Sequence, residues 1–339
     1  MKVLITGGAG FVGSHLAERC LQQGWKVAII DDLSTGAMDN ITHLKSASRF
    51  SYTIDTVLNG AVLRELVDCA DLVFHLAAAV GVRLVVDSPV RTIETNVQGS
   101  QAVLDAAEKK RKPVIITSTS EVYGKSSAVP FREDGDIVIG PTTIGRWSYA
   151  CSKALDEFLG VAYWREKGVP VTIVRLFNTV GPRQTGRYGM VLPTFARQAL
   201  LGKPITVHGT GRQSRCFASV TDVVEALVKL VYADGIHGEV INIGNDQEIT
   251  ILELAEITKK LAYSNSEIRL VPYSEAFGPG FEDMPRRVPC VDKLERLTGF
   301  RPRTSIEAIV TMVLEDMHSR LMESEPIGLA NGKFAGALA

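Results

Sequence analysis

Short apolar runs and amphipathic segments alternate along the first half of the chain. Lys2–Thr6 is an apolar run, a glycine cluster follows it, and residues 14–23 carry apolar side chains at helical spacing. Residues 26–30 are rich in β-branched side chains and lead directly into Asp31. This pattern predicts a strand, a tight turn, a helix and a second strand, which together make a βαβ unit of about 30 residues.

The same alternation continues to residue 176. Further strands are predicted at residues 51–55, 72–76, 114–118 and 169–176, and helices are predicted at residues 98–109 and 149–167. Apolar runs of this kind indicate strands that are buried on both faces. The predicted fold class is therefore α/β, a Rossmann-type doubly wound parallel sheet with its ligand site at the carboxyl ends of the strands.

Beyond residue 178 the pattern changes, because proline and glycine recur between short elements. Helices are predicted at residues 222–232, 251–261 and 305–323, and an edge strand is predicted at residues 203–207. We expect one domain over residues 1–178, to which a strand at residues 240–243 returns, and a smaller substrate-binding lobe over residues 179–320. The Ala/Gly-rich tail at residues 324–339 is expected to be disordered.

Composition and charge exclude several classes of partner. The chain has 339 residues, with 37 Lys and Arg against 38 Asp and Glu, so its net charge is −1. That balance gives no global electrostatic reason to bind nucleic acid or an anionic membrane surface. No run approaches the roughly 18 apolar residues of a membrane span, and we expect a cytoplasmic protein. The cysteines form no C-x-x-C pair, so neither a disulfide framework nor a zinc site is expected; they are Cys20, Cys69, Cys151, Cys216 and Cys290.

A dinucleotide site is predicted at the first glycine cluster. Residues 7–13 (GGAGFVG) satisfy G-x-G-x-x-G between a predicted strand and a predicted helix. Glycines let the backbone approach a pyrophosphate at the positive end of the helix. Asp31 lies where an acid accepts ribose hydroxyls and repels a 2′-phosphate, so NAD is predicted rather than NADP, with Asp31 favoured over Asp32. The turn residues assigned to the cofactor are Gly7, Gly10, Phe11, Val12 and Gly13.

A tyrosine that removes protons is predicted on a later helix. Tyr149 and Lys153 are four residues apart and therefore share one helical face. A lysine ammonium beside a phenol lowers the pKa of the phenol, so Tyr149 could take a proton from a substrate hydroxyl while hydride leaves the same carbon. Thr119, at the end of an upstream strand, could donate a hydrogen bond to the reacting oxygen.

With these residues in place, the chain resembles the extended short-chain dehydrogenase/reductase family that acts on nucleotide sugars. The family's T-G-x-x-G-x-x-G stands at residues 6–13, and its S/T and Y-x-x-x-K stand at Thr119, Tyr149 and Lys153. The resemblance implies that residues 1–178 bind NAD, that residues 179–320 bind a nucleotide sugar, and that the chain forms a homodimer through the helices at 98–109 and 149–167. It also implies further cofactor contacts, namely Asp55, Thr56, Leu76, Ala77, Ala78, Tyr149 and Lys153. The contacts that it implies to a UDP-linked sugar are Asn178, Arg183, Val191 and Arg215.

The residues beside Thr119 bear on which reaction follows oxidation of the sugar at C4. Glu121 in the string TSEVYG is typical of UDP-glucuronate decarboxylases, and a Glu also serves 4,6-dehydratases as a base at C5. Ser120 stands where dTDP-glucose dehydratases have Asp, although GDP-mannose dehydratases also have Ser-Glu. Arg286 and Arg287 resemble the decarboxylases' R-K-P segment, whose arginine faces the carboxylate; Arg287 is the better match, but Val288 replaces the Lys.

The leading hypothesis from the sequence is a UDP-glucuronate decarboxylase that makes UDP-xylose with internally recycled NAD. Tyr149, Lys153 and Thr119 would act at C4, Arg287 or Arg286 would bind the carboxylate, and Glu121 would assist at C5. The alternatives are a UDP-sugar 4-epimerase and then a nucleotide-sugar 4,6-dehydratase. An alternative of another class is a non-catalytic NAD-binding regulatory protein, against which the intact Thr119, Tyr149 and Lys153 argue.

Overall fold

The computed structural model describes residues 1–81, 88–186, 190–277 and 282–324. The predicted tail lies outside the described residues from residue 325 onward. Of the described helices, none has both the length and the apolar character that a membrane span needs. The strands described are β1 Lys2–Thr6, β2 Lys26–Asp31, β3 Phe50–Ile54, β4 Leu72–His75, β5 Val114–Thr119, β6 Val171–Leu176, β7 Thr179–Val180, β8 Ile205–His208, β9 Ser214–Cys216, β10 Ala218–Ser219, β11 Val240–Ile243, β12 Glu248–Thr250, β13 Ile268–Val271 and β14 Arg286–Arg287.

The helices follow the strands in the alternation that the sequence predicts. Shorter turns of helix lie between them, including a 3-10 turn at Ser120–Tyr123 and a π-helical turn at Tyr163–Lys167. The α-helices described are α1 Phe11–Gln22, α2 Gly60–Cys69, α3 Pro89–Glu108, α4 Trp147–Ala162, α5 Val191–Leu200, α6 Val220–Leu230, α7 Ile251–Leu261, α8 Tyr273–Phe277, α9 Asp292–Thr298 and α10 Ile306–Ser324.

Within the described residues, seven strands form one parallel sheet in the order β11-β6-β5-β4-β1-β2-β3. Successive side chains of a strand point to opposite faces, so each central strand contributes to two cores. Val3 and Ile5 pack with α1 and α6 on one face, whereas Leu4 packs with α2 and α3 on the other. The doubly wound α/β fold predicted from the sequence is confirmed.

Several boundaries differ from the predicted ones. Helix α3 begins at Pro89, nine residues before the predicted start; a proline opens its first turn, and the apolar Val90, Ile93 and Val97 that follow are at helical spacing. Helix α4 begins at Trp147 and continues through the π-helical turn to Gly168, which stops it in a left-handed conformation with φ of 68°.

The later part of the chain builds a second core and several small sheets. Helices α5, α7 and α10 pack around a cluster that includes Phe195, Leu254 and Val310. The strand predicted at residues 203–207 is β8, which pairs with β13. Strand β11 joins the large sheet beside β6 instead of the later core. Strand β14 pairs with β9 and places Arg287 opposite Arg215, which brings two arginines to the edge of the cleft.

Candidate active site

One cavity of about 920 Å³ opens at the carboxyl ends of the sheet strands and extends under the later part of the chain. The glycine turn and the ends of β2, β4, β5 and β6 line one side of it. Residues of α5, β8, β9 and β14 line the other. The location agrees with the position that a doubly wound sheet gives to its ligand.

The glycine turn forms a cradle that only glycine can line. A Cβ on Gly13 would lie 2.2 Å from the Gly7 carbonyl oxygen, and a Cβ on Gly7, whose φ is 70°, would lie 2.8 Å from the Ala77 amide nitrogen. Gly10 precedes α1 and supplies no side-chain cap, so the first N–H groups of the helix remain free to bind an anion. The cradle therefore fits the pyrophosphate of a dinucleotide, and Phe11 and Val12 line the cavity beside it.

The two adjacent acids at the end of β2 have different surroundings. Asp31 is buried and its Oδ2 accepts a hydrogen bond from the Ala9 N–H at 2.9 Å, while its Oδ1 accepts one from the Leu33 N–H at 2.8 Å. Burial raises the pKa of Asp31 above its ordinary value, against these hydrogen bonds. Asp32 is exposed and accepts from the Ser34 N–H. Each carboxylate oxygen of Asp31 has a second lone pair, so both acids can still accept from a ribose.

The remaining residues assigned to the cofactor from the sequence also border the cavity. Asp55 caps its own turn, accepting from the Thr56 N–H at 2.7 Å and from the Asn59 amide at 2.8 Å. The Ala77 N–H donates to the Thr6 hydroxyl at 3.1 Å, which fixes the chain after β4 against the glycine turn. The cavity-lining residues of this group are Asp55, Thr56, Leu76, Ala77 and Ala78.

The cavity brings together the reactive residues predicted from the sequence, namely Tyr149, Lys153, Thr119, Ser120 and Glu121. Thr119 ends β5 and hydrogen-bonds the Tyr149 hydroxyl, and its Oγ1 accepts from the Glu121 N–H at 3.3 Å. Ser120 is buried and Glu121 is half-buried in the 3-10 turn that follows. The predicted set of reactive groups therefore shares one site, at the ends of β5 and the start of α4.

The predicted lowering of the tyrosine pKa is wrong for this structure. Burial raises the pKa of Tyr149 above its ordinary value, and the carboxylates of Glu121 and Asp156 raise it further. The Lys153 ammonium donates to Asp156 Oδ2 at 2.6 Å, so a carboxylate already neutralises its charge. The spacing of Tyr149 and Lys153 was correctly predicted, but the sequence pattern gave no weight to Asp156.

Three buried arginines meet one carboxylate on the opposite wall. Asp283 lies 3.0 Å from Arg146, 2.8 Å from Arg215 and 3.8 Å from Arg287, measured between nitrogen and oxygen atoms. Burial opposes ionisation of Asp283, yet the three guanidinium groups hold its pKa below the ordinary value. Arg287 also faces Glu121 at 3.6 Å. Among the described residues, three guanidinium groups therefore lie on this wall, a lining that suits an anionic ligand.

Burial has a large effect on Arg287 itself. Burial and the neighbouring Arg215 lower the pKa of Arg287 to about 10, against the attraction of Glu121 and Asp283. Its Nη1 lies 3.5 Å from the Asn178 side-chain oxygen, and Asn178 is fixed by donating to the Cys216 carbonyl at 2.8 Å. Val191, at the start of α5, lines the same wall. The predicted Asn178, Val191, Arg215 and Arg287 are therefore close together.

Arg183 and Arg286 do not reach the cavity. Arg183 has a φ of 67°, and its guanidinium turns back to Glu18 on α1 at 2.7 and 2.8 Å. Arg286 is exposed and pairs with Glu248 at 2.7 Å. Neighbouring residues of a strand point to opposite sides, so when Arg287 of β14 faces inward, Arg286 faces outward. Neither placement supports the contacts that the resemblance implied for these two arginines.

The cavity residues that the sequence analysis missed include three at the arginine wall. Arg146 and Asp283 line the arginine wall, and the Tyr273 hydroxyl donates to Asp283 at 3.1 Å. Arg146 stands three residues before Tyr149 and Asp283 four residues before Arg287, so their spacing to predicted residues was the available signal. That signal is weak, because charged residues at such spacing are common on solvated faces.

Comparisons with known proteins agree with this site. Residues 3–244 match the model of the NAD dependent epimerase/dehydratase family. A UDP-N-acetyl-alpha-D-glucosaminuronate decarboxylase of Bacillus cytotoxicus is 43% identical over 307 residues, which cover 90% of this chain and 94% of the relative. UDP-glucuronic acid decarboxylase 1 of Arabidopsis thaliana is 35% identical over 331 residues, which cover 97% of this chain and 73% of the relative.

A solved structure shares the whole fold. The UDP-glucuronic acid 4-epimerase of Bacillus cereus, solved in complex with UDP-glucuronic acid and NAD, aligns with a TM-score of 0.84 and 28% identity. The alignment covers 94% of this chain and all of that one, 100%. Similarity therefore extends across both the sheet and the later core.

Proposed function

This chain belongs to the NAD-dependent epimerase/dehydratase family, and on that premise we propose that it decarboxylates a UDP-linked uronic acid. It is an enzyme that uses NAD. UDP-glucuronate, with UDP-xylose as product, is the substrate that the sequence favours. Its 2-acetamido counterpart is the second candidate substrate, because the 43% identical relative is named as a decarboxylase of that sugar. Both sugars carry the C5 carboxylate on which the proposal depends, and they differ at C2.

We assign the cofactor to the glycine side of the cavity. The turn at Gly7, Gly10 and Gly13 holds the diphosphate, Asp31 or Asp32 binds the adenosine ribose, and Asp55 borders the adenine. Leu76, Ala77 and Ala78 line the path toward Tyr149. These roles are supported by the cradle geometry and by the free N–H groups at the start of α1.

Oxidation of the sugar at C4 is the first step that the side chains can perform. Tyr149 removes the proton of the C4 hydroxyl, Thr119 holds that oxygen, and Lys153 places a positive charge beside the phenol. Bound NAD supplies the hydride acceptor at C4 and later returns the same hydride, so no oxidant is consumed. The result at this stage is a C4 ketone beside a C5 carboxylate, which is a β-keto acid.

Loss of carbon dioxide then follows from the electronics of the β-keto acid. The C5–C6 bond breaks and carbon dioxide leaves, the electron pair moves into the C4–C5 enolate, and a proton taken up from solvent is added at C5. Arg287 holds the carboxylate in place before the bond breaks, and Glu121, 3.6 Å from Arg287, assists at C5. Reduction at C4 and return of the proton from Tyr149 complete the cycle.

The buried Arg287 beside Glu121 is the observation that carries the proposal. A guanidinium buried at the reacting end of the cavity, beside Glu121, favours a sugar that brings its own carboxylate. A UDP-sugar 4-epimerase is the second candidate, because the Bacillus cereus structure of that name shares the fold across 94% of this chain. It would use the same tyrosine and lysine but would not require loss of a carboxylate.

The test is to incubate the protein with NAD and, separately, with UDP-glucuronate, its 2-acetamido counterpart and UDP-glucose, and to follow product masses. Loss of carbon dioxide from either uronate supports the proposal, and the uronate that reacts identifies the substituent that the enzyme accepts at C2. An unchanged mass with a new NMR spectrum would show epimerisation instead, and loss of water would show dehydration. UDP-glucose separates a general 4-epimerase from an enzyme that requires the carboxylate.

Arg287→Ala tests the observation itself. It should reduce kcat/KM for the uronate by at least about 100-fold, because a charge-assisted bond to a buried guanidinium is lost, and should affect UDP-glucose binding far less. Arg286→Ala is the matched control, since Arg286 is the neighbouring residue on β14 and faces solvent. An equal loss for both sugars would assign Arg287 to the diphosphate and favour the epimerase.

We also propose a homodimer through α3 and α4. These helices pack on each other and present apolar side chains to solvent: Val90, Ile93, Leu155 and Phe158 are 67%, 42%, 49% and 68% exposed. A second copy would cover this face around a two-fold axis. Light scattering should give twice the chain mass, and Phe158→Glu should give the monomer. A wild-type monomer at micromolar concentration would contradict the dimer.

A further inference from the structure

A fully buried carboxylate lies beside the reactive lysine and has no part in the reaction as derived above. Asp156 Oδ2 accepts the hydrogen bond from the Lys153 ammonium at 2.6 Å, and the two side chains are 0% and 3% exposed. A buried ion pair contributes little net stability, because desolvation of both charges offsets their attraction. Stability alone is therefore a weak reason for this pair, and its lysine lies one helical turn from Tyr149, which relates the pair to the reaction.

Polar groups continue from Asp156 across the sheet to the glycine turn. The Ser100 hydroxyl of α3 faces the Asp156 carboxylate and lies 3.2 Å from His75 Nε2. On its other side, His75 Nδ1 lies 2.8 Å from the Thr6 hydroxyl, and Thr6 directly precedes Gly7. Within the described residues, Oδ2 of the carboxylate is held by Lys153, whereas Oδ1 is buried without a hydrogen-bond partner.

Lys153 is the charged group that pairs with Asp156, because the other charged groups nearby are paired elsewhere or neutral. Burial raises the pKa of Asp156, Lys153 opposes that rise, and the neighbouring Glu157 adds to it. Glu157 is itself occupied by Arg175, at 2.7 Å. Burial, together with Lys153, lowers the pKa of His75 to about 3, so the imidazole that faces this network from β4 is neutral at working pH.

Asp156 and a Tyr149 phenolate compete for one ammonium. The charge of Asp156 opposes ionisation of Tyr149, and its hydrogen bond occupies the Lys153 ammonium that would stabilise a phenolate. We propose that Asp156 is a positioning residue, which holds the Lys153 ammonium on its own carboxylate, away from the phenolate, and so sets the pH at which Tyr149 becomes a base. This inference rests on the proposed role of Tyr149, so its test includes a readout that needs no turnover.

The variant Asp156→Asn keeps the shape of the side chain and removes its charge. Lys153 is then free for the phenolate, so the acid limb of the kcat–pH profile should move down by about one pH unit. KM for the sugar should stay within about two-fold, because Asp156 touches no substrate. A limb that stays at the wild-type pH would overturn the proposal. Asp156→Ala removes the same charge with a strong helix former and provides the measurement if the Asn variant does not fold.

The second readout is the absorbance of the phenolate itself. With saturating NAD and no sugar, the difference between each protein and its Tyr149→Phe counterpart isolates the titration of Tyr149. The midpoint should be lower in Asp156→Asn than in wild type, and equal midpoints would overturn the proposal. A lowered midpoint in a protein that releases no carbon dioxide would refute the decarboxylase and leave the role of Asp156 standing. Asp105→Asn on α3, which contacts the Tyr163 hydroxyl, is the control and should leave both midpoints unchanged.

Discussion

At the scale of single residues, the most exacting environment is that of Tyr149. Its phenol is buried beside two carboxylates, so it can act as a base only with positive charge close to it. Tyr149→Phe keeps the ring and removes the proton acceptor, and turnover should fall by about 100-fold or more. NAD affinity, measured by calorimetry, should be unchanged. Tyr163→Phe is the control, because that hydroxyl contacts Asp105 outside the cavity, and near-normal turnover in Tyr149→Phe would remove the centre of the mechanism.

His75 provides a prediction about stability and pH. Its pKa is lowered to about 3 in the folded protein by burial and by Lys153, against an ordinary value of 6.5. Folding therefore favours the neutral ring, so this contribution is complete above pH 6.5 and is lost as the pH falls toward 3. Over that range the unfolded chain binds one more proton, and the free energy of unfolding should fall by up to about 1.4 kcal/mol per pH unit from this group.

The variant His75→Gln removes that titration. Urea unfolding of wild type and variant is measured at several pH values between 7 and 4. Over most of these roughly three pH units, His75 is protonated in the unfolded chain and neutral in the folded protein. The free energy of unfolding should therefore fall less steeply toward acid pH in the variant. The variant should be less stable at pH 7, since it loses contacts with Thr6 and Ser100. Parallel slopes would mean that His75 does not titrate between these limits.

Residues were predictable where the chemistry needs a fixed local spacing. Tyr149 and Lys153 share a helical face by their spacing alone, and Asp31 follows the glycine turn at the end of a strand. Asp156 and Arg146 gave no comparable signal, because their roles depend on burial. The sequence of an amphipathic helix does not show which of its charged side chains are buried. The predicted direction of the shift in the Tyr149 pKa was wrong for the same reason.

At the scale of elements, the start of α1 is the most constrained part of the fold. Gly13→Ala would place a Cβ 2.2 Å from the Gly7 carbonyl oxygen and 2.8 Å from the Gly8 Cα, and backbone cannot yield as a side chain can. The variant should lose about 2 kcal/mol or more of stability and most of its NAD affinity. Thermal unfolding and NAD titration measure both effects.

Gly60→Ala is the matched control, since Gly60 also stands in the first turn of a helix, α2. A Cβ there would meet only the end of the flexible Arg64 side chain, at 3.1 Å. Alanine in that helix should be neutral or stabilising by up to about 1 kcal/mol. Equal damage from the two substitutions would show that the close approach at Gly13 is not the cause.

Helices and strands were predictable where they are long and have a periodic pattern of apolar residues. They were not predictable where a strand exists only because it pairs with a neighbouring strand. The strands of the large sheet are apolar runs and were predicted within a few residues. Strand β14 has two residues and exists because β9 lies beside it, so no local pattern could indicate it. The inward direction of Arg287 and the outward direction of Arg286 follow from that pairing, which is why the sequence left the two open.

At the scale of the whole molecule, the cavity joins parts of the chain that are far apart in sequence, so a ligand stabilises both. A ligand present at about 100 times its Kd adds about 2.7 kcal/mol to the free energy of unfolding. NAD should therefore raise Tm clearly, and NADP at the same concentration should raise it much less, because the carboxylates of Asp31 and Asp32 repel a 2′-phosphate. Equal shifts from the two cofactors would remove the role assigned to these acids.

The return of β11 to the large sheet has a consequence for how such enzymes can exchange parts by recombination. Residues 240–243 complete the sheet beside β6, although the chain has by then already built α5, α6 and several strands of the later core. A single crossover after residue 178 would therefore give a hybrid whose edge strand comes from one parent and whose neighbouring β6 comes from the other. Parts of the later core can enter this scaffold intact only as separate insertions, because α6 and α9 on either side of β11 also pack with the large sheet.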